Sequence, residues 1–209
     1  SQYDFDNCLS REIIFFHDFL CIILLFVAVF VGVMIIYVYK KISLQRIYLE
    51  GNKLETLWTL GPISILGFVF YPSIYLLNFS NVRSISSENF TDIIKVIGHQ
   101  WYWEYRYNFL EEMLNYDSYP GENNFMRCYS TSSVLLINRE NISELQVTSD
   151  DVIHRFSLPS LGIKIDAVPG RIKRKILEGF VNHFGLLSGQ CSEICGVLHS
   201  NMPILAFYV

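Results

Sequence analysis

The sequence predicts a two-helix transmembrane hairpin followed by an all-β barrel or sandwich. Three observations carry that fold class. Two long, nearly uncharged apolar runs lie within the first 80 residues. Short β-type runs separated by turn-forming residues fill the rest. Composition agrees: 51% hydrophobic, 15% aromatic and 17% charged residues is more apolar material than one water-soluble core of a 209-residue chain holds.

In chain order, residues 1–14 are an outer N-terminal segment. The first span, 15–39, reads "FFHDFLCIILLFVAVFVGVMIIYVY", with His17 and Asp18 at its leading edge. The second, 56–79, reads "TLWTLGPISILGFVFYPSIYLLNF" and carries no charge. About 20 apolar helical residues cross a hydrocarbon core of about 30 Å, so each run is long enough. A secretory signal has a shorter apolar core and a small-residue cleavage site, which neither run offers. Pro62 and Pro72 are expected to kink the second helix without ending it. The inner loop, 40–55, sets Lys40, Lys41, Arg46 and Lys53 against Glu50 and Glu55. The positive-inside rule places that loop in the matrix or cytoplasm, and both termini on the opposite side.

Residues 80–209 form the outer domain. The runs "DIIKVIG", "SSVLLIN", "ISELQVT" and "ILAFYV" read as strands, and "YPGENN" and "VPGR" as turns. The domain has 11 basic and 14 acidic residues, net −3, and no basic stripe, so nucleic acid is not an expected partner. The five cysteines, Cys8, Cys21, Cys128, Cys191 and Cys195, are odd in number with one close pair, which is not a disulfide framework. Cys21, inside the first apolar run, is expected to act as a small hydrophobe.

The stretch "GQCSEICGVLHSNMP", 189–203, gathers two thiols, an imidazole and a thioether. Cys191, Cys195, His199 and Met202 fall at i, i+4, i+8 and i+11, so one reading is a helix face. In a helix, however, the end members would stand roughly 16 Å apart and could not share a metal centre. Gly189, Ser192, Gly196, Ser200 and Pro203 also oppose a helix, whereas a loop anchored by the strand "ILAFYV" lets the side chains converge. Two thiolates, imidazole and thioether are a soft set: zinc has little use for Met, whereas copper takes all three types. A mononuclear blue-copper site needs one Cys and two His, so the second Cys raises a pair of bridged coppers. A second imidazole must then come from elsewhere. His154 in "TSDDVIHRFSLPS" is the best candidate, with His99 and His183 open on spacing alone.

In "HQWYWEYRY", a strand would put Trp101, Trp103, Tyr105 and Tyr107 on one face and Tyr102, Glu104 and Arg106 on the other. Trp103 and Tyr105 are expected to be core.

"GQCSEICGVLHSNMP", "DVIHRFSLPSLGIKIDAVPGR", "GHQWYWEYRY" and "LETLWTLGP", in this order behind two spans, resemble the subunit 2 family of cytochrome c oxidase over nearly the whole chain. The resemblance implies a cupredoxin-like outer domain holding a binuclear copper A centre, in the mitochondrial inner membrane with that domain in the intermembrane space. It implies that Cys191 and Cys195 bridge the coppers, that His154 and Met202 complete one ion, and that His199 and the Glu193 carbonyl complete the other. It implies that the Glu193 side chain binds magnesium at the boundary with subunit 1, and that Trp101 receives electrons from cytochrome c. Glu55 matches an acid at the entrance of a proton pathway (K), although an acid at a helix N-terminus is also favoured by the macrodipole. The partners implied are subunit 1, other oxidase subunits, cytochrome c and the lipid bilayer. Glu111, Glu112, Asp117, Asp150 and Asp151 are the acids expected to steer a basic cytochrome c. Arg106 and Arg155 depart from the family pattern and are expected to oppose it. A competing reading is a membrane-anchored copper chaperone, which uses C-x-x-x-C and a distant His but requires neither His199 nor Met202.

Overall fold

The computed structural model describes residues 8–41, 50–82, 92–109, 112–121, 129–138, 140–177 and 185–209. The chain divides into two compact units, the helical hairpin Glu12–Phe79 and the unit containing Ser80–Val209.

Helices α1 (Cys8–Lys40) and α2 (Asn52–Val82) make the hairpin. Within them, Leu9–Lys40 and Asn52–Ser80 are long and apolar enough to cross a membrane. Both helices outrun the apolar stretches at 15–39 and 56–79, because a helix continues through flanking polar residues such as Glu12 and Lys53 once nucleated. α2 runs through Pro62 and Pro72 without a break. Its hydroxyls turn inward: Thr56, Thr59 and Ser64 donate to the carbonyls of Asn52, Glu55 and Leu60 at 2.7, 2.9 and 2.8 Å. Such back-bonding satisfies hydroxyls that hydrocarbon would leave without water. Phe19 and Phe68 meet across the hairpin with ring centroids 6.0 Å apart. Phe26, Ile35, Leu66 and Phe70 are exposed, an outward apolar coat suited to lipid or neighbouring helices.

From residue 92 onward the described residues form strands with two short 3-10 turns. Strands β1 (Asp92–His99), β2 (Tyr102–Phe109), β3 (Glu112–Ser118), β5 (Ser143–Ser149) and β8 (Lys173–Leu177) form a sheet ordered β3-β2-β1-β5-β8. Strands β4 (Leu135–Ile137), β9 (Leu186–Gln190) and β10 (Pro203–Tyr208) form a second, ordered β4-β10-β9, and β6 (His154–Leu158) pairs with β7 (Ile163–Ala167). The pairs β1–β5 and β4–β10 are parallel and the rest antiparallel. The "VPGR" turn forms as expected: Arg171 N–H donates to the Val168 carbonyl at 3.1 Å, and Gly170, at φ +72°, takes the position a side chain would strain.

β2 alternates as the aromatic motif predicts. Trp103, Tyr105 and Tyr107 are buried, while Tyr102, Glu104 and Arg106 lie on the outer face. Trp101 precedes the strand and is partly buried against the core. His99 pairs with Tyr102 to close a two-residue hairpin loop, Gln100–Trp101, so Trp101 sits at the loop and is released from strand alternation. The core joins both sheets through Trp103, Tyr105, Phe156, Leu135, Leu145, Ile204 and Tyr208, all fully buried.

Two hairpins position the chemistry. β6 and β7 are joined by a 3-10 turn, Pro159–Leu161, with Gly162 at φ 64°. β9 and β10 pair from Gln190–Pro203 outward, and Cys191 N–H donates to the Met202 carbonyl at 3.0 Å. Residues 191–202 are therefore a loop closed at its neck, with a 3-10 turn over His199–Asn201 and no α-helix.

Candidate metal centre

The closed loop turns its donor side chains inward. Cys191 and Cys195 are buried free thiols with sulfurs 3.9 Å apart, far beyond a disulfide bond. His154 Nδ1 lies 3.9 Å from Cys191 Sγ, and the Glu193 carbonyl oxygen 3.4 Å from it. His199 Nδ1 lies 3.6 Å and Met202 Sδ 3.9 Å from Cys195 Sγ. The donor atoms of His154, Cys191 and Cys195 fall within 4.8 Å of one another, a group that could hold a metal ion.

His154 opens β6 and is fully buried. Its ring packs on Gly98, where an added Cβ would come within 2.9 Å of the imidazole, and meets Trp103 edge-on at 5.8 Å. Asp151 Oδ1 accepts a hydrogen bond from its Nε2–H at 2.8 Å, which turns Nδ1 toward Cys191. Asp151 also accepts from the main-chain N–H of Gln100 at 2.6 Å and of Val152 at 2.5 Å. Gln100 in turn donates its side-chain amide to the Cys195 carbonyl at 2.7 Å. The β1–β2 hairpin loop thus grips the ligand loop directly. Trp101 lies over Gly196, where φ is +129° and a Cβ would approach the indole to 3.0 Å. β9 presses equally close to β6, since a Cβ on Gly189 would fall 1.9 Å from the Ser157 carbonyl oxygen.

The electrostatics divide the two thiols. Burial alone would raise Cys191, but hydrogen bonding with His154 and the main chain outweighs it and lowers the thiol to about 6. Burial and the neighbouring Cys191 charge push Cys195 up to about 12. For His154, burial is overcome by Cys191 and Asp151, which favour the protonated ring. For Asp151, burial is overcome by His154, Val152 and Gln100, which hold the carboxyl below its ordinary value. In the metal-free pair Cys191 is thus the more acidic thiol and Cys195 the less acidic.

Among the imidazoles left open by spacing, His99 is elsewhere: it stacks on Tyr102 at 4.7 Å and bonds Glu104 at 3.1 Å. His183 and Glu111 lie outside the described residues, as does the side chain of Glu112, which begins β3. Asp117 accepts from the Tyr119 hydroxyl at 3.0 Å, and Asp150 is exposed in the turn after β5. Burial and then the charges of Asp117, Glu104 and Asp151 raise the Tyr102 phenol, so these acids act around the Trp101 loop. Glu55 sits exposed in the first turn of α2.

The two arginines are not free charges. Arg106 forks onto Glu104 at 2.5 and 3.1 Å. Arg155 contacts Asp166 at 2.5 Å and Glu193 at 3.3 Å, and Lys173 holds Asp166 from the other side at 2.5 Å. Each guanidinium is paired with carboxylate, Arg106 with Glu104 and Arg155 with Asp166 and Glu193. Sequence reasoning also missed Gln100, the three close-approach glycines, and the grip of Asp151 on His154. The one local signal for that grip was an acid three residues before the histidine.

The comparisons agree with this architecture. Residues 92–209 match the family model for the cytochrome c oxidase subunit II periplasmic domain, and residues 6–76 match its transmembrane-domain model. Cytochrome c oxidase subunit 2 of Yponomeuta malinellus is 40% identical over 205 residues, covering 94% of this chain and 86% of that protein. The subunit of Choristoneura rosaceana is 38% identical over 216 residues, covering 98% and 91%. The crystal structure of the periplasmic domain of cytochrome oxidase subunit II from Bradyrhizobium japonicum superposes with a TM-score of 0.54 at 36% identity, covering 58% of this chain and 86% of that one. The β-domain is cupredoxin-like, and the chain belongs to the cytochrome c oxidase subunit 2 family.

Proposed function

We propose that this chain is the electron-accepting subunit of a cytochrome c oxidase. It takes electrons from cytochrome c at Trp101 into a binuclear copper A centre and passes them to haem in subunit 1, where oxygen reduction is coupled to proton pumping. The observation that carries this reading is the convergence of six donors, five from the closed loop and His154 from β6. Cys191 lies beside His154 and the Glu193 carbonyl, and Cys195 beside His199 and Met202. Each thiol therefore neighbours one donor from each expected copper, as bridging requires. The soft sulfur and imidazole set fits copper; a chaperone site would leave His199 and Met202 without purpose. A copper pair held by Cys191, Cys195, His154, His199, Met202 and the Glu193 carbonyl would supply one-electron transfer with little geometry change on reduction.

The chain's own residues supply the rest. The neck bond between Cys191 and Met202 and the grip of Gln100 on Cys195 keep the donors in place between redox states. Trp101 against Gly196, next in sequence to Cys195, gives a contact route from the surface to a sulfur ligand. Asp117, Asp150 and Asp151, with Glu111 and Glu112, make a field that steers a basic cytochrome c more than they add affinity. The neutralised Arg106 and Arg155 leave that field intact.

This reading puts spans 15–39 and 56–79 in the mitochondrial inner membrane, loop 40–55 in the matrix, and both termini with domain 80–209 in the intermembrane space. Subunit 1, the other oxidase subunits and lipid cover the exposed helical faces, and Glu55 stands at the inner side near the K proton pathway. Magnesium at Glu193 would draw its other oxygens from subunit 1 and water. That carboxylate already meets the Arg155 guanidinium. The test is Trp101→Phe in the assembled oxidase. Electron uptake from reduced cytochrome c should collapse while copper content stays native; unchanged uptake would overturn Trp101 as the receiving residue.

A further inference from the structure

Arg155 follows the ligand His154 directly and is one of the positions where the chain departs from its family's pattern. It holds the metal-binding loop in two ways. Its carbonyl accepts from Ser192 N–H at 3.0 Å, and its guanidinium reaches the Glu193 carboxylate at 3.3 Å. The same guanidinium is braced on Asp166, its cross-strand partner in β7, and Asp166 is clamped by Lys173 of β8. Lys173, Asp166, Arg155 and Glu193 thus form a chain of two cations and two anions with no net charge. Its far end is the residue whose carbonyl oxygen stands 3.4 Å from Cys191 Sγ.

We propose that Arg155 is a positioning residue for the copper centre, an internal cation that fixes the Glu193 carbonyl against Cys191 through the Glu193 side chain. The inference rests on the copper A reading above. A loop carbonyl is a weak donor, held by the chain geometry around it, and the peptide at 192–193 is fixed from both sides by one residue of the strand that carries His154. Residues that orient a ligand commonly change metal affinity or activity 10–100-fold when lost. Arg155→Ala keeps the Ser192 main-chain bond and the Lys173–Asp166 pair, so it isolates the guanidinium. Arg155→Lys keeps a cation, but one that cannot fork onto both carboxylates at once.

The experiment uses the full chain in detergent, loaded with copper. The readouts are copper stoichiometry, the electron paramagnetic resonance hyperfine pattern, and the rate of copper loss to a chelator. Arg155→Ala should make sharing of the electron between the two coppers visibly unequal and speed copper loss by about tenfold. Arg155→Lys should recover part of both. Glu193→Ala, on a half-exposed loop where folding is not at stake, should give the same phenotype, and the double variant should be no worse than either single one. A native spectrum in Arg155→Ala, or fully additive losses in the double variant, would overturn the proposal. Failure of the unmutated chain to bind two coppers would instead overturn the copper A reading.

Discussion

Replacing Asp151 with alanine strips His154 of the acceptor on its Nε2 at 2.8 Å and leaves the Gln100 and Val152 N–H groups without theirs. Two costs follow. Losing the partner of a metal-ligating histidine weakens metal affinity by about 10–100-fold, or about 1.4–2.7 kcal/mol. Folding loses about 1–2 kcal/mol rather than the full strength of three charge-assisted bonds, because the Asp151 side chain is 30% exposed and water takes up part of the deficit. Asp151→Asn separates the effects. Its carbonyl oxygen can still accept from His154, but its amide NH2 faces the Gln100 N–H, donor against donor. Copper affinity should therefore rank native, then Asn, then Ala, measured by chelator competition on the full chain, with thermal unfolding of the metal-free form as the stability control. Copper affinity within twofold of native in Asp151→Ala, alongside the expected loss of stability, would refute the assignment of Asp151 to orienting His154.

Other consequences are equally open to measurement. Gly189→Ala would set a Cβ 1.9 Å from the Ser157 carbonyl, so β9 must leave β6; a loss of about 3 kcal/mol or more is expected in thermal or denaturant unfolding. Protons compete with copper for the thiols. With Cys195 held near 12, uptake must release at least one proton, so log apparent affinity should rise by about one per pH unit in the mildly alkaline range. Toward lower pH the slope should steepen, first as the His154 imidazole, raised above its ordinary value, holds a proton and then as the Cys191 thiol does, and a flat profile by chelator competition would contradict the thiol assignments. Arg106→Ala uncovers the Glu104 carboxylate and should speed association with a basic cytochrome c by about twofold at low salt. The effect should vanish at high salt in stopped-flow traces.

What the sequence revealed is what lies within a local window. The two spans follow from uncharged runs of helical length, and Trp103 and Tyr105 follow from period-two alternation. The ligand loop follows from glycine, serine and proline punctuation between Gln190 and Pro203. What stayed hidden depends on groups brought together from distant parts of the chain. The contact of Gln100 with Asp151 spans 51 residues and that with Cys195 spans 95, and neither leaves a local signal. Trp101 falls outside β2 because the hairpin closes at His99–Tyr102, yet it still packs against the core. The charges of Arg106 and Arg155 were legible, but their neutralisation was not. For Arg155 it depends on the β6–β7 register opposite Asp166 and on a loop that folds back to offer Glu193.

The most direct test of the account is the copper stoichiometry and electron paramagnetic resonance spectrum of the full chain in detergent after copper loading. Two coppers per chain, with hyperfine structure from one electron shared equally by both nuclei, is the predicted result. One copper with a single-nucleus spectrum would contradict the bridged centre and return the chaperone-like reading of Cys191, Cys195 and His154.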